Sequence, residues 1–162
     1  MEALSPRRFD SYTEYRSAMF AALETATSTI AIFDPDLREA GLENPTSIAA
    51  LERLCRTSPR RDALRILVHS TDFAERECPR FVALIGAFSH RAAVRVTSTQ
   101  LRNWRQPFLV ADARHVVTRF DQDGPRGKLA AEDERTASML LAQLETMWIN
   151  GTSTTTGASL GI

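Results

Sequence analysis

The chemistry on offer is concentrated in one stretch, Leu101-Arg102-Asn103-Trp104-Arg105-Gln106-Pro107-Phe108-Leu109-Val110-Ala111-Asp112-Ala113-Arg114-His115. An apolar run that ends in a carboxylate, with guanidinium groups close by, has the makings of a phosphate or carboxylate site, because the planar fork of arginine matches two oxygens at once. Arg102, Arg105, Arg119 and Arg126 lie in or beside the loops around this stretch and read together as an anion pocket. The opposing reading pairs them with Asp34, Asp36, Asp112, Asp121 and Asp123 in a structural ion-pair network. His69 and His115 are the candidate nucleophiles or general bases, although a hydrogen-bonded or surface histidine is the ordinary role of the residue. Trp104 and Phe108 beside Arg105 suit base stacking, yet Phe108 belongs to a buried run and Trp104 caps it. His69, His90, His115 and Cys78 share no short ligand spacing on one element, so neither a metal nor any other cofactor is expected.

These residues need elements to hold them. Phe108–Ala111 and His115–Thr118 flank a tight turn and read as a β-hairpin. Ahead of it, helices alternate with buried strands. Ser11-x-x-Glu14 is a capping-box signature before a helix with Tyr15, Ala18, Met19, Ala22 and Leu23 on one face. Thr27–Phe33 is a strand apolar on both faces, closed by Asp34-Pro35-Asp36. Asn44 caps a helix with Pro45 at its first position, and Ala63–Val68 forms a second strand that ends at His69-Ser70-Thr71-Asp72. Asp72 caps a short helical segment, Pro79 opens a further helix, and Ala93–Thr97 is a third strand. Asp121–Lys128 reads as a Gly/Pro/charge-rich loop, and a long helix runs from about Glu132 to Ile149 with acidic residues in its first turn.

This order predicts an α/β fold, with a mixed, mostly parallel central sheet and helices on both faces, a terminal hairpin and a long C-terminal helix. Loops beyond the C-terminal ends of the parallel strands are then the expected site. They carry Asp34 and Asp36, His69 and Asp72, and Arg102 and Arg105. Residues 1–9 are expected as a flexible N-terminus, 10–150 as a single domain, and the Ser/Thr/Gly-rich stretch 151–162 as a disordered tail.

The chain has 162 residues, and 20 basic side chains balance 20 acidic ones, so the overall charge does not draw it toward nucleic acid or an anionic membrane. Nucleic acid is accordingly not expected as a partner. All basic residues except Lys128 are arginine. Cys55 and Cys78 lack any CxxC spacing and read as small buried hydrophobes in a reducing compartment. No apolar run approaches the ~20 residues that cross a bilayer, and a cytoplasmic location is the expectation.

Taken together, TIAIFDPDL, ALRILVH, AVRVT, RQPFLVADARHVV and the closing LETMW resemble the core of a phospholipase D-like (HKD) domain, over residues ~10 to 150. The resemblance implies a strand carrying His-x-Lys-x-x-x-x-Asp, in which His is the nucleophile, Lys binds the phosphate and Asp supports. On this chain Asp112 occupies the Asp position, while Arg105 stands at the His position and Pro107 at the Lys position. A guanidinium stays protonated and has no lone pair to attack phosphorus. The chain is similar in this to uncharacterised bacterial domains with a degenerate motif. The resemblance with its lost nucleophile implies an inactive module that binds a phosphate-containing or other anionic ligand, or a protein partner, with Asp112, Arg105, Arg102, Arg126, His69 and Asp34 as ligand-binding candidates. It further implies a homodimer with facing pockets. Two alternatives stand beside it: a phosphodiesterase or nuclease using His69 or His115, and an accessory module to a separate enzyme such as an acyltransferase. Asp34-x-Asp36 also invites a haloacid-dehalogenase-like or divalent-metal reading, but no later Lys or acidic pair has the matching context.

Overall fold

Capping chemistry sets where the helices begin in the computed structural model, which describes residues 4–154. Along the chain the elements are β1 (Arg7–Phe9), α1 (Tyr12–Thr25), β2 (Ile30–Asp34), α2 (Pro45–Thr57), β3 (Leu64–Val68), α3 (Asp72–Glu77), α4 (Pro79–Ala87), β4 (Ala92–Val96), β5 (Phe108–Ala111), β6 (His115–Arg119), β7 (Gly127–Ala130), α5 (Glu134–Ile149) and β8 (Thr152–Ser153). Ser11 Oγ accepts the Glu14 N–H at 3.1 Å and donates to the Glu14 carboxylate at 3.0 Å, so the capping box at the head of α1 is closed. Asn44 does the same service for α2 by accepting from the Thr46 N–H at 3.1 Å, and Asp133 for α5 by accepting from Thr136 N–H at 3.1 Å. Asp72 is the first residue of α3 and not its cap; Thr71 precedes it with no capping side-chain bond.

The strands form one mixed sheet in the order β1-β7-β6-β5-β2-β3-β4-β8. Parallel pairing is confined to β2–β3 and β3–β4, and every other neighbouring pair is antiparallel. The sheet is therefore less parallel than the alternation of helices and strands predicts, because the segment after β4 is a meander that keeps adding antiparallel strands. α5 packs on one face against Phe33, Leu67, Phe108, Val110 and Val116, while α1, α2 and α4 cover the other over Ile32, Ile66, Val94, Leu109 and Val117. Strands β2 and β5 are buried on both sides, which is why each reads as an unbroken apolar run. At the C-terminal end of α5 the Trp148 ring takes the Arg95 guanidinium at 4.7 Å, and Arg95 donates to the Trp148 carbonyl at 2.7 Å. That cation satisfies one of the open carbonyls and complements the helix dipole.

Three further expectations give way. Arg7–Phe9 is an edge strand and not part of a flexible lead, Gly127–Ala130 is a strand at the end of the expected loop, and Thr152–Ser153, in the expected tail, pairs with β4. Strands of two to four residues are too short to display a period of two, and their pairing is decided by the neighbour they lean on. The rest of the two terminal segments, 1–3 and 155–162, lies outside the described residues. Cys55 and Cys78 are free thiols, buried as expected, and burial pushes each up to about 11, which leaves little thiolate at neutral pH. Among the described residues no helix is long and apolar enough to cross a membrane.

Candidate functional site

The C-terminal ends of β2, β3 and β4 share a rim with the start of β5 and the end of β6, since β5 runs antiparallel to β2 with Phe33 opposite Phe108. Two buried charges meet there. Asp34, at the end of β2, and Arg119, at the end of β6, are 1% and 2% exposed, and Arg119 Nη2 donates to Asp34 Oδ1 at 3.2 Å. Asp34 also accepts from the N–H groups of Leu37 at 2.6 Å and Asp36 at 3.1 Å. Burial pushes the Asp34 carboxyl up, and the Arg119 charge and these two N–H groups pull against it. Arg119 Nη1 donates to the carbonyls of Gln122 and Gly124, and its guanidinium stands 4.9 Å from the Tyr15 ring and 5.6 Å from that of Tyr12. Arg119 Nε and Gln122 Oε1 are buried without a partner in the protein. Outside this pair lies a polar cleft of ≈ 270 Å³ lined by Tyr12, Asp36, Arg38, Arg119, Gln122 and Asp123.

Arg105 is exposed on the same rim and is held by carboxylates: Nε and Nη2 donate to Asp121 at 2.9 Å each, and Nη2 also pairs with Asp123. Pro107 is buried beside it, and its carbonyl accepts from the Thr118 hydroxyl at 2.9 Å. His69 stands at the end of β3, its ring 5.0 Å from Phe33. The Trp104 carbonyl can only accept, so His69 Nε2 carries the proton it shares with that oxygen at 3.0 Å, and Nδ1 accepts from the Thr97 hydroxyl at 2.7 Å. Both ring nitrogens are thus engaged. Arg102 is exposed and has no ion pair among the described residues. Arg126 stands just before β7, beside the end of β6, and lines a second groove next to β1.

Burial lowers the His69 pKa below its ordinary 6.5, the Arg102 charge adds to the effect, and the Trp104 bond and Asp34 oppose it. A histidine that resists protonation in the fold stabilises it above pH 6.5, and that contribution is lost as pH falls through the folded value. Denaturant unfolding at neutral pH and at about pH 5 should therefore show a larger acid loss for the parent than for His69→Gln. Equal losses would mean that His69 titrates normally.

Asp112 and His115 are at the other end of the sheet. Asp112 and Ala113 both have positive φ, 54° and 59°, the signature of a type I′ turn, and Arg114 N–H closes it onto the Ala111 carbonyl at 3.1 Å. The Asp112 carboxylate accepts from the N–H groups of Thr27, Ser28 and Thr29, the shortest at 2.7 Å, and fastens the hairpin to the loop before β2. Asp112→Ala is expected to cost about 2 kcal/mol in chemical denaturation, because partly exposed donors lose a charged acceptor. An unchanged stability would remove the anchor. His115 is 3% exposed, and its Nδ1 accepts from the Glu132 N–H at 3.0 Å. Of the sequence candidates the rim therefore brings together Asp34, His69, Arg102 and Arg105; Arg126 adjoins the end of β6 but lines a different groove, and Asp112 and His115 are left out at the other end of the sheet. The pairing of Asp34 with Arg119 and of Arg105 with Asp121 follows the ion-pair reading, while the two α1 tyrosines around Arg119 carry no local sequence signal. Among the described residues no group of three His, Cys, Asp or Glu side chains converges as a metal site would.

The fold is phospholipase D-like. Nuc from Salmonella typhimurium, a phospholipase D family member, superposes with a TM-score of 0.62 at 14% identity, over 93% of this chain and 99% of that one. NucT from Helicobacter pylori does so with a TM-score of 0.54 at 12% identity, over 93% and 99%. The chain itself belongs to the family described as a domain of unknown function, DUF7931, whose model matches residues 11–159. No curated protein matches it by sequence. TrmBL2, an archaeal chromatin protein with a novel mode of DNA binding, has a TM-score of 0.68 at 14% identity; the match covers 95% of this chain and 56% of that one. This neighbour overturns the expectation that nucleic acid is not a partner. Net charge sums over the whole surface, whereas binding depends on where the charges gather.

Proposed function

We propose that the domain is a non-catalytic phospholipase D-like module that binds nucleic acid through its phosphate backbone. The observation that carries the first half is the occupant of the nucleophile position: Arg105, already claimed by Asp121 and Asp123, with Pro107 where the phosphate-binding lysine would stand. A proline offers neither charge nor N–H to a phosphate. His69 is a poor substitute because both its ring nitrogens are engaged, and His115 sits at the far end of the sheet. The second half is supported by the DNA-binding neighbour of the same fold. The two buried thiols suit the reducing interior of a cell, where such a partner is found.

Two measurements test this. Purified protein should not turn over bis-p-nitrophenyl phosphate or nick supercoiled plasmid under conditions in which an active phosphodiesterase does both. Turnover that disappears in His69→Ala would establish a phosphodiesterase with a displaced histidine. A labelled oligonucleotide should show saturable binding that weakens between about 50 and 200 mM salt, as counterion release requires; a chain that binds no nucleic acid at low salt would leave the fold without this role.

A further inference from the structure

Building on the reading of the domain as a nucleic-acid binder, we propose that a single strand of nucleic acid is held along the β1–β7 edge of the sheet, away from the rim where β2–β4 end. Arg7, Arg8 and Arg126 are exposed there and Lys128 is half-buried, and none of the four has an ion pair among the described residues. Elsewhere the exposed arginines tend to be matched, as Arg56 is with Glu52 and Arg105 with Asp121. Arg61, Arg76, Arg102 and Arg135 also lack an ion pair among the described residues but come from four separate segments, whereas Arg7, Arg8, Arg126 and Lys128 share one edge of a neutral protein. Arg8 and Lys128 are directly opposite in the β1–β7 register. Like charges in that position cost stability unless an anion lies between them, and the carboxylate that feels Lys128 is Asp133, on the side toward α5.

The same edge carries a large aromatic side chain. Phe120 is 48% exposed, and its N–H donates to the Arg126 carbonyl at 2.9 Å, so ring and guanidinium belong to the base of one hairpin. Both line a groove of ≈ 320 Å³ together with Arg8, Asp10 and Glu14. An aromatic ring in water between arginines is a platform for a base, and stacking of this kind accepts any base that is not already stacked in a duplex. Arg8, Arg126 and Lys128 take the phosphates. Asp10 and Glu14, at the head of α1, repel phosphate and accept from exocyclic base amines, which turns the bases toward α1 and the backbone toward β7.

The test is fluorescence anisotropy of a labelled single-stranded oligonucleotide and its duplex, titrated with the full chain at about 50 and about 200 mM salt. Arg8→Gln/Arg126→Gln is expected to weaken single-strand binding about tenfold or more at low salt and to reduce the slope of log affinity against log salt by about 1.4, the loss of two phosphate contacts. Phe120→Ala is expected to weaken the single strand about fivefold or more and to leave the duplex little changed. Arg61→Gln, at an exposed arginine between α2 and β3, removes one positive charge away from the edge and should bind like the parent. Thermal melts by circular dichroism confirm folding in each case. If binding survives both edge variants, or is lost in Arg102→Gln instead, the edge site is wrong while the nucleic-acid reading stands; if the parent binds nothing at low salt, both are wrong. Edge variants that aggregate with unchanged affinity would show that the charges only guard an open strand.

Discussion

Replacing Arg119 with methionine should lower the free energy of unfolding by about 3–5 kcal/mol, the range seen when one partner of a buried ion pair is removed. The size comes from what is left behind. Asp34 is 1% exposed, and without the guanidinium its only compensation is the two N–H groups of Leu37 and Asp36. The Nη1 bonds to the Gln122 and Gly124 carbonyls go as well, and with them the order of the β6–β7 connection. The pH dependence has a definite sign. Burial already raises Asp34 above its ordinary 3.8 in the parent, and loss of Arg119 raises it further. The folded variant then binds a proton that the unfolded chain releases, so its stability is greatest below pH 3.8 and is lost as pH rises through the folded value. Guanidinium denaturation should show the deficit of Arg119→Met shrinking on acidification. Asp34→Asn/Arg119→Met removes both charges, keeps an acceptor for Leu37 and Asp36, and should recover more than half of the loss. A single variant that costs under about 1 kcal/mol would mean that water reaches the pair and that it behaves as a surface contact.

That pair also marks the limit of what the sequence discloses. The end of a buried strand at Asp34 is legible from TIAIFD, and the competition between an anion pocket and an ion-pair network is legible from the numbers of arginines and aspartates near the hairpin. Which arginine answers which aspartate is not, because Asp34 and Arg119 are 85 residues apart and the register that joins them runs through β5. Arg119 ends a run, His115 to Arg119, that is buried at every position, and nothing local separates it from the exposed Arg126. Asp112 illustrates the opposite case. Its position at a hairpin turn is plain in the sequence, yet its carboxylate is committed to Thr27, Ser28 and Thr29, and a family motif transferred residue by residue cannot show that commitment. Hydrophobic pattern conveys the layers and the hairpin well, since both are repeated over many residues. It conveys short strands poorly, and of the cations proposed to hold nucleic acid Arg8 sits on the edge strand β1 and Lys128 on its neighbour β7.

Gly127 joins the stability of that edge to its function. An added Cβ would lie 2.0 Å from the Thr118 carbonyl oxygen, 2.7 Å from the Phe9 ring and 2.8 Å from the Arg119 Cα. Two of these neighbours are backbone atoms of β6, which cannot swing away, and the third is the buried ring that fixes β1 to the core. Gly127→Ala is therefore expected to cost about 3 kcal/mol or more, at or beyond the upper end for overpacking, because the strand and not a side chain must move. The direction of movement matters. β7 lies between β6 and β1, with Arg119 opposite Gly127 on one side and Phe9 opposite it on the other, so relief comes from releasing β1 while β6 stays in the centre of the sheet. Amide exchange should then quicken first at Arg8 and Phe9, with β2, β3 and β5 still protected. Single-strand affinity should fall with it, since Arg7 and Arg8 leave their places beside Lys128. A variant in which β1 keeps its protection and affinity is unchanged would show that the pairing tolerates the methyl group and that the edge is less tightly closed than its geometry requires.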